Sequence, residues 1–598
     1  MNDLNSLVRV ANILSYLSSN ERNGQYVNFE QIIMNHRKKH MVFFLTLLIL
    51  GCLGCGNTAA ETNTTPLQIV LEGDFKGTFE TKFYRYAKSE KPSLKKEIST
   101  IWKDTVWQND RVHKQIVLWT TSGGFSDLEY EISDLKGTAS NIPASAVQLR
   151  FLSYITGDKE SSSCGSSKHD AVKIADALSE EKVTFFTSSD PLKLWLTVNI
   201  PEDAIADTYK GNFIVKLKGE TLEIFIIELK VVNHKLPAVS DWSFHLDLWQ
   251  FPFQLANLCN GAGNKVLPFS PAYFTLIEPF YRLLANTGQK AITTYVKDGA
   301  FRAGESMVKW KCSEKGKWSF DYTDFDNFVE HMMKWGITKQ INCFSLVGWD
   351  KNINYYDADN NRKTLELEIS SPQYKEIWNT FLTSFKKHLV EKGWFEKTVL
   401  YMDEIKQEEM KVVTSLIKEH DKQWKIGLAG SNNPAEIEGL FYDYSTFLGY
   451  NRATNNPIST FYTSCSHEYP NNYVTLQNSP AEMSWMAWYA SASKLGGYLR
   501  WAYDYWLMDD PTNIQDQGNA AGDFNMIYRT DNTATSRPVS SIRLELLREG
   551  IQDYEKIRLL NNVGMNSVVQ KFTQDSGREA EKLVSEAQSL LKKISVIN

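Results

Sequence analysis

The sequence predicts a multidomain β plus α/β chain, in which an N-terminal β-sandwich is followed by a (β/α)₈ TIM-like barrel. Three observations carry that prediction. From Leu67 to Leu236 short alternating or β-branched runs are separated by turn clusters, with few helical periods, as in a sandwich. After Pro237 strand-like segments alternate with amphipathic helical ones, the rhythm of a parallel α/β architecture. The second half holds roughly eight such pairs, which is what a barrel needs. An open doubly wound sheet would want fewer strands and a Gly-rich phosphate loop, and neither G-x-x-x-x-G-K-[ST] nor G-x-G-x-x-G occurs.

Taken in order, the elements begin with a targeting segment. Arg37-Lys38-Lys39-His40 precedes the apolar run Met41–Leu50 and the small residues Gly51-Cys52-Leu53-Gly54-Cys55. A basic stretch, an apolar core and small residues form an export signal, and the run is short of the roughly 20 residues that a membrane span needs. A small residue directly before a cysteine resembles a bacterial lipoprotein signal. Cys52, with the better apolar residue three positions earlier, is the expected lipidation site. The expected divisions are therefore 1–33, an over-extended start ahead of Met34; 34–55, the lipoprotein signal; 56–66, a tether; 67–236, the sandwich; and 237–598, the barrel. The remaining cysteines (Cys164, Cys259, Cys312, Cys343, Cys465) show no paired spacing, so one or two disulfides are allowed but none is assignable.

Within the sandwich the expected strands are 68–71, 114–119, 146–151, 192–198 and 223–229. In the barrel they are 243–249, 291–296, 337–346, 398–402, 425–429, 444–448, 459–463 and 497–501. The clearest helices between them are 323–335, 373–392, 408–420 and 481–494. No tandem repeat interrupts the pattern.

Composition excludes several functions. A hydrophobic share of 42% supplies ample core, so the chain is neither disordered nor fibrous. The net charge of −6, with no long Lys/Arg tract in the body, argues against a nucleic-acid partner. There is no His-Glu-x-x-His and no Gly-x-Ser-x-Gly, and the ten histidines are dispersed without metal-ligand spacing. No metal and no organic cofactor is called for. His245 and Asp247 alternate on one expected strand, where a satisfied core histidine is the simpler reading.

The chemistry is expected at Asp403-Glu404, which closes the apolar strand Val399-Leu400-Tyr401-Met402. Barrel enzymes place their reacting groups at the C-terminal ends of strands. An acid and a carboxylate can together cleave a glycosidic bond, but the usual schemes set them on facing walls about 5–5.5 or 6.5–9.5 Å apart. Two neighbours on one strand end approach from the same side. That suits a sugar whose own 2-acetamido oxygen is the nucleophile, with Asp403 orienting the acetamide and Glu404 serving as general acid and then base. The pair also has an ordinary structural explanation, since acidic residues offset the dipole of a following helix.

At these motifs the sequence resembles glycoside hydrolase family 123, whose characterised activity is β-N-acetylgalactosaminidase. The resemblance covers nearly all of the mature chain. It rests on Trp107-Gln108-Asn109-Asp110-Arg111-Val112, Asp321–Asp326, Leu400–Glu404, Gly497–Tyr503 and, most specifically, Leu546-Leu547-Arg548-Glu549-Gly550-Ile551-Gln552-Asp553-Tyr554-Glu555. Gln108-Asn109-Asp110 departs from the Gly-Glu expected there. The resemblance implies a sandwich plus barrel, an exo-acting hydrolase and the substrate-assisted roles of Asp403 and Glu404.

Sugar sites stack pyranose faces on aromatic rings and hold hydroxyls with polar groups. Strand-end position nominates Trp249, Trp349, Tyr462, Trp501 and Tyr503, with Arg500 and Asp504 as polar partners. Arg548, Glu549 and Asp553 are read as ion pairing on a C-terminal helix. The expected partners are a glycan substrate and a membrane reached only through the lipid anchor. Two alternatives stay open: a conventional pair with Glu404 as acid and a nucleophile on a later strand, or a non-catalytic glycan-binding lipoprotein.

Overall fold

The computed structural model describes residues 74–92, 97–165, 170–302, 304–450, 455–515 and 518–597. The targeting segment, Cys52 and the expected strand at 68–71 lie outside the described residues. The rest of the N-terminal half folds as two facing sheets. One has the order Lys76–Glu80, Arg111–Trp119, Leu192–Asn199, Val147–Asp158, Ala171–Ser179, Pro538–Ser541 and Tyr528–Arg529. The other is built on the long hairpin Asp207–Leu217 and Glu220–Lys235, with Ile101–Gln108 alongside. Ile116, Leu118, Leu194, Leu196 and Val198 meet Phe213, Phe225, Ile227 and Leu229 between the sheets. These positions repeat every second residue, as one face of a strand must. The strand Leu192–Asn199 is buried on both faces, because its other side, including Trp195, packs toward the barrel.

The barrel strands are β1 (His245–Leu248), β2 (Ala291–Tyr295), β3 (Gln340–Phe344), β4 (Thr398–Asp403), β5 (Lys425–Ala429), β6 (Asp443–Phe447), β7 (Ile458–Tyr462) and β8 (Gly497–Arg500). All eight run parallel, and every one falls on a segment that the alternating pattern predicts. The seam between β1 and β2 lacks a full ladder. It is closed by Lys290 N–H donating to the Leu246 carbonyl at 2.9 Å and by the Gln289 side chain. That amide accepts from Leu248 N–H at 2.8 Å and donates to the Ala291 carbonyl at 2.7 Å, standing in for the missing strand bonds.

Besides a single turn at Asn566–Val569, the described helices are α1 (Pro252–Gly261), α2 (Pro271–Ala285), α3 (Thr323–Lys334), α4 (Pro372–Glu391), α5 (Gln407–His420), α6 (Ala435–Glu438), α7 (Ala481–Ala492), α8 (Ile542–Leu559) and α9 (Ala580–Ile597). α2 and α4 each start with Ser-Pro. The serine hydroxyl accepts an orphan N–H, and the proline occupies a position whose own N–H has no helical partner. Among the described residues no helix lies between β6 and β7. Between β2 and α4 the chain adds a four-stranded sheet, Lys309–Cys312, Trp318–Asp321, Ile353–Tyr356 and Arg362–Leu365, whose Trp310 stacks on Phe381 of α4 at 4.7 Å. No described helix is long and apolar enough to cross a membrane.

The barrel interior is partly polar. Asp247 accepts from Trp249, Gln289 and Asn342, and Asp443 accepts from Gln340. Burial raises their carboxyls to about 7 and about 8. Burial likewise lowers His245 to about 3, so it is a neutral core histidine, but its Nε2 is not satisfied: it lies 3.7 Å from Asp443 and has no hydrogen-bond partner among the described residues.

Sandwich and barrel meet at a joint in which two of the sequence motifs face each other. Glu545 of α8 receives Arg111 at 3.1 Å and Arg150 at 2.6 Å. Burial works to raise that carboxyl, but Arg150 and Arg111 overcome it and hold Glu545 well below the usual range. Lys556 and Gln552 donate to Asp110, and Glu555 accepts from the N–H groups of Ser243 and Phe244. Asn109 takes a left-handed φ of 62°, which asparagine tolerates in place of glycine, and its amide donates to the Leu236 and Pro237 carbonyls. Gly550 is required by close approach: an added Cβ would lie 2.6 Å from the Ser484 carbonyl oxygen on α7. Glu549 pairs with Lys82 at 2.5 Å, Asp553 accepts from Trp488, and Arg548 lies over Trp242. The specific C-terminal motif is therefore a structural joint.

Candidate active site

β4 carries Asp403 at its last position, and Glu404 follows in a left-handed turn with φ of 47°. In a regular strand adjacent side chains point to opposite faces. The turn breaks that alternation, while Glu404 N–H still donates to the Ala429 carbonyl of β5 at 2.8 Å. A non-glycine residue in this region costs energy of order 1 kcal/mol, and such conformations concentrate at functional sites.

Burial, followed by the charge of Glu404, pushes Asp403 well above the usual carboxylate range, and Arg302 opposes the shift. Asp403 therefore keeps its proton to a higher pH than an ordinary carboxyl does. Tyr462, ending β7, donates its hydroxyl to Glu404 Oε1 at 2.9 Å. Burial and the two carboxylates together push that phenol further up, so it stays protonated and fixes Glu404. Trp349 donates its indole N–H to the Asp403 carbonyl at 3.3 Å and leaves 53% of its surface open.

Beside the pair stands an aromatic group. The Arg302 guanidinium lies 5.6 Å from Trp349, 5.1 Å from Trp501 and 5.3 Å from Phe524, measured to ring centroids. Tyr505 stacks on Phe524 at 5.9 Å. The structure thus brings together Asp403, Glu404, Trp349, Tyr462 and Trp501 among the residues nominated from sequence. It adds Arg302, Phe524 and Tyr505, which sequence reasoning missed. Arg302 sits in the Gly-flanked loop Gly299–Gly304, the one local signal that could have drawn attention to it.

Four nominated residues are corrected. Trp249 is fully buried, bonded to Asp247 and packed on Phe301 and Phe344 inside the barrel. Arg500 is fully buried in an ion pair with Asp523. Tyr503 is buried and donates to the Phe280 carbonyl, and Asp504 accepts from Phe251 N–H and Tyr281 O–H. Strand-end position identified them, but each is turned into the core and none presents a surface to a sugar.

A cavity of about 860 Å³ opens at Glu404 and Tyr462. A larger one of about 1090 Å³ lies between residues of both sandwich sheets and α9 and contains none of the strand-end residues. Its lining pairs Lys592 with Asp104 at 2.6 Å and Lys103 with Glu228 at 3.5 Å. Among the described residues no group of three His, Cys, Asp or Glu side chains could hold a metal ion. Cys164 and Cys465 form a disulfide that joins a sandwich loop to the loop after β7, and Cys259, Cys312 and Cys343 are free thiols.

Comparisons with known proteins identify the family and the fold. Residues 249–560 match the family model for the glycoside hydrolase 123 catalytic domain, and residues 80–217 match the glycoside hydrolase 123 N-terminal domain. A solved family 123 glycoside hydrolase from Clostridium perfringens, described in connection with glycolipid glycan hydrolysis, superposes with a TM-score of 0.78 at 21% identity. That match covers 87% of this chain and 98% of the other. A Bacteroides ovatus GH5 xyloglucanase covers 76% of this chain and 98% of its own at 9% identity, but its TM-score of 0.27 carries no argument. No curated protein sequence matches the chain.

Proposed function

Given that the chain belongs to glycoside hydrolase family 123, we propose that it releases terminal β-N-acetylgalactosamine from glycans by substrate-assisted, retaining hydrolysis. The observation that carries this reading is the placement of both carboxylates on one strand end. Glu404, held by Tyr462, protonates the leaving oxygen. Asp403, whose proton passes to Glu404 when the sugar binds, then accepts from the acetamide N–H and stabilises the positive charge that develops as the acetamide oxygen closes on the anomeric carbon. Water then opens the cyclic intermediate, with Glu404 as base, and the configuration is retained. Trp349 and Trp501 offer stacking faces for the sugar.

The alternative of a nucleophile on a later strand finds little support, because Asp443 and Asp504 are buried and bonded elsewhere. The choice of the galacto sugar rests on the family. From the Clostridium perfringens relative we extend glycolipid glycans to this chain as a substrate class. Export and anchoring through Cys52 rest on the sequence of residues 37–55, and the Cys164–Cys465 disulfide accords with an oxidising compartment.

The test is hydrolysis of chromogenic β-N-acetylgalactosaminide, β-N-acetylglucosaminide and β-galactoside by the wild-type chain and Asp403→Asn. We expect cleavage of the N-acetylgalactosaminide alone, reduced in Asp403→Asn by about 10²-fold or more. Equal cleavage of the plain galactoside would remove the acetamide from the mechanism.

A further inference from the structure

Resting on that reading, we propose that the cavity beside Glu404 is a leaving-group cleft for an uncharged oligosaccharide, walled by the loop after β7 and by residues 574–578. The direction follows from the chemistry. Asp403 faces the acetamide of the departing sugar, and Glu404 faces the oxygen of the group it leaves behind. Glu404 lines this cavity and Asp403 does not, while the Arg302–Trp349–Trp501 group lies outside it. The cavity therefore belongs to the reducing-end side of the scissile bond. Its volume of about 860 Å³ is far more than one sugar ring fills and lies within the range of pockets that enclose whole ligands.

The walls are built in advance. His467 accepts from Ser464 N–H at 3.1 Å and packs on Phe447 at 4.1 Å. Asn471 ties the loop by donating to the Ser464 and His467 carbonyls. The disulfide at Cys465 anchors the same loop to the sandwich. Opposite, Arg578 lies 4.0 Å from the Tyr469 ring centroid and pairs with Glu468 at 3.2 Å. Residues 574–578 lie beyond the segment that matches the catalytic-domain family model, so this wall is set by the C-terminal part of the chain.

Charge selects the occupant. Besides Glu404, which is protonated when substrate binds, the lining carries the acids Glu468 and Asp575 against the single guanidinium of Arg578; Glu468 already engages that guanidinium, so Asp575 leaves the cleft negative. Burial lowers His467, which therefore adds no positive charge at neutral pH. A uronate, sulfate or sialyl group placed here would be repelled, whereas neutral hydroxyls find Asn432, Ser431 and Gln574 as partners.

The experiment compares kcat/KM of the purified chain on β-N-acetylgalactosamine linked to an aryl group, to a neutral disaccharide, to a neutral trisaccharide, and to the same trisaccharide carrying a uronate. The expected result is a rise with neutral length and a fall of about tenfold or more when the uronate is added. Tyr469→Ala and Arg578→Ala should raise KM for the neutral trisaccharide by about tenfold more than for the aryl glycoside. No gain with length, no penalty for the uronate, or equal effects of the variants on both substrates overturns the cleft. Hydrolysis of none of the four overturns the parent reading and this one with it.

Discussion

At the joint Glu545 is gripped by two guanidinium groups, whereas at the barrel mouth Asp403 has burial and a second carboxylate against it. Glu545 is buried and Asp403 partly so, and their environments drive them in opposite directions. Glu545 is held well down, as a permanent anion whose cost of burial is offset by Arg150 and Arg111. Asp403 is held well up by burial and by the charge of Glu404. A buried charge with dedicated partners secures architecture, and a buried charge deprived of them is poised to exchange protons. The comparison also sorts the two most recognisable sequence motifs. The longer and more specific one, Leu546–Glu555, holds the molecule together, and the shorter one, Asp403-Glu404, carries the chemistry we propose.

The largest expected effect breaks the mouth without touching the joint. Glu404→Gln should lower kcat/KM on the N-acetylgalactosaminide by about 10²–10⁴-fold, with the melting temperature unchanged. If activity survives, the proton is supplied elsewhere and the contrast fails. Next, Glu545→Ala should do the reverse. It strands Arg111 and Arg150 without their counter-charge and should cost about 3–5 kcal/mol in denaturant unfolding, with the KM of the folded fraction preserved.

The smallest effect concerns the barrel interior. Asp247 and Asp443 have folded pKa values near 7 and near 8, above the ordinary value of 3.8. Groups raised on folding contribute stability that is complete below pH 3.8 and is lost as pH rises through 7 to 8. Unfolding free energy should therefore fall across that window. Asp443→Asn should make the fall shallower, by no more than the about 1.4 kcal/mol per pH unit that one proton carries.

Much of the architecture is legible in the sequence, because barrel strands are buried on both sides and read as apolar runs set between helical periods. β4 and β5 are found within a residue of their observed ends for that reason. The site is less legible. The left-handed turn at Glu404 leaves no trace in residue type, and Phe524 reaches the mouth from a long irregular segment without periodicity. Arg500, Tyr503 and Asp504 show the converse difficulty. A position at a strand end does not say which way the side chain turns, and here Asp523, the Phe280 carbonyl and Tyr281 draw them inward. The Cys164–Cys465 pairing spans 301 residues and follows only from the three-dimensional arrangement.

The strand Pro538–Ser541 leaves the barrel's own sequence to pair with Ala171–Ser179 in the first sheet, before α8 returns to the barrel. Its consequence concerns inheritance as much as folding. A chain cut at Pro237 would not yield an independent catalytic module, since one piece would lose the end of a sheet and the other would carry an orphaned strand and the severed partners of Glu545. Exchange, duplication or expression of one half alone would sever that strand pairing and the Glu545 ion pairs together.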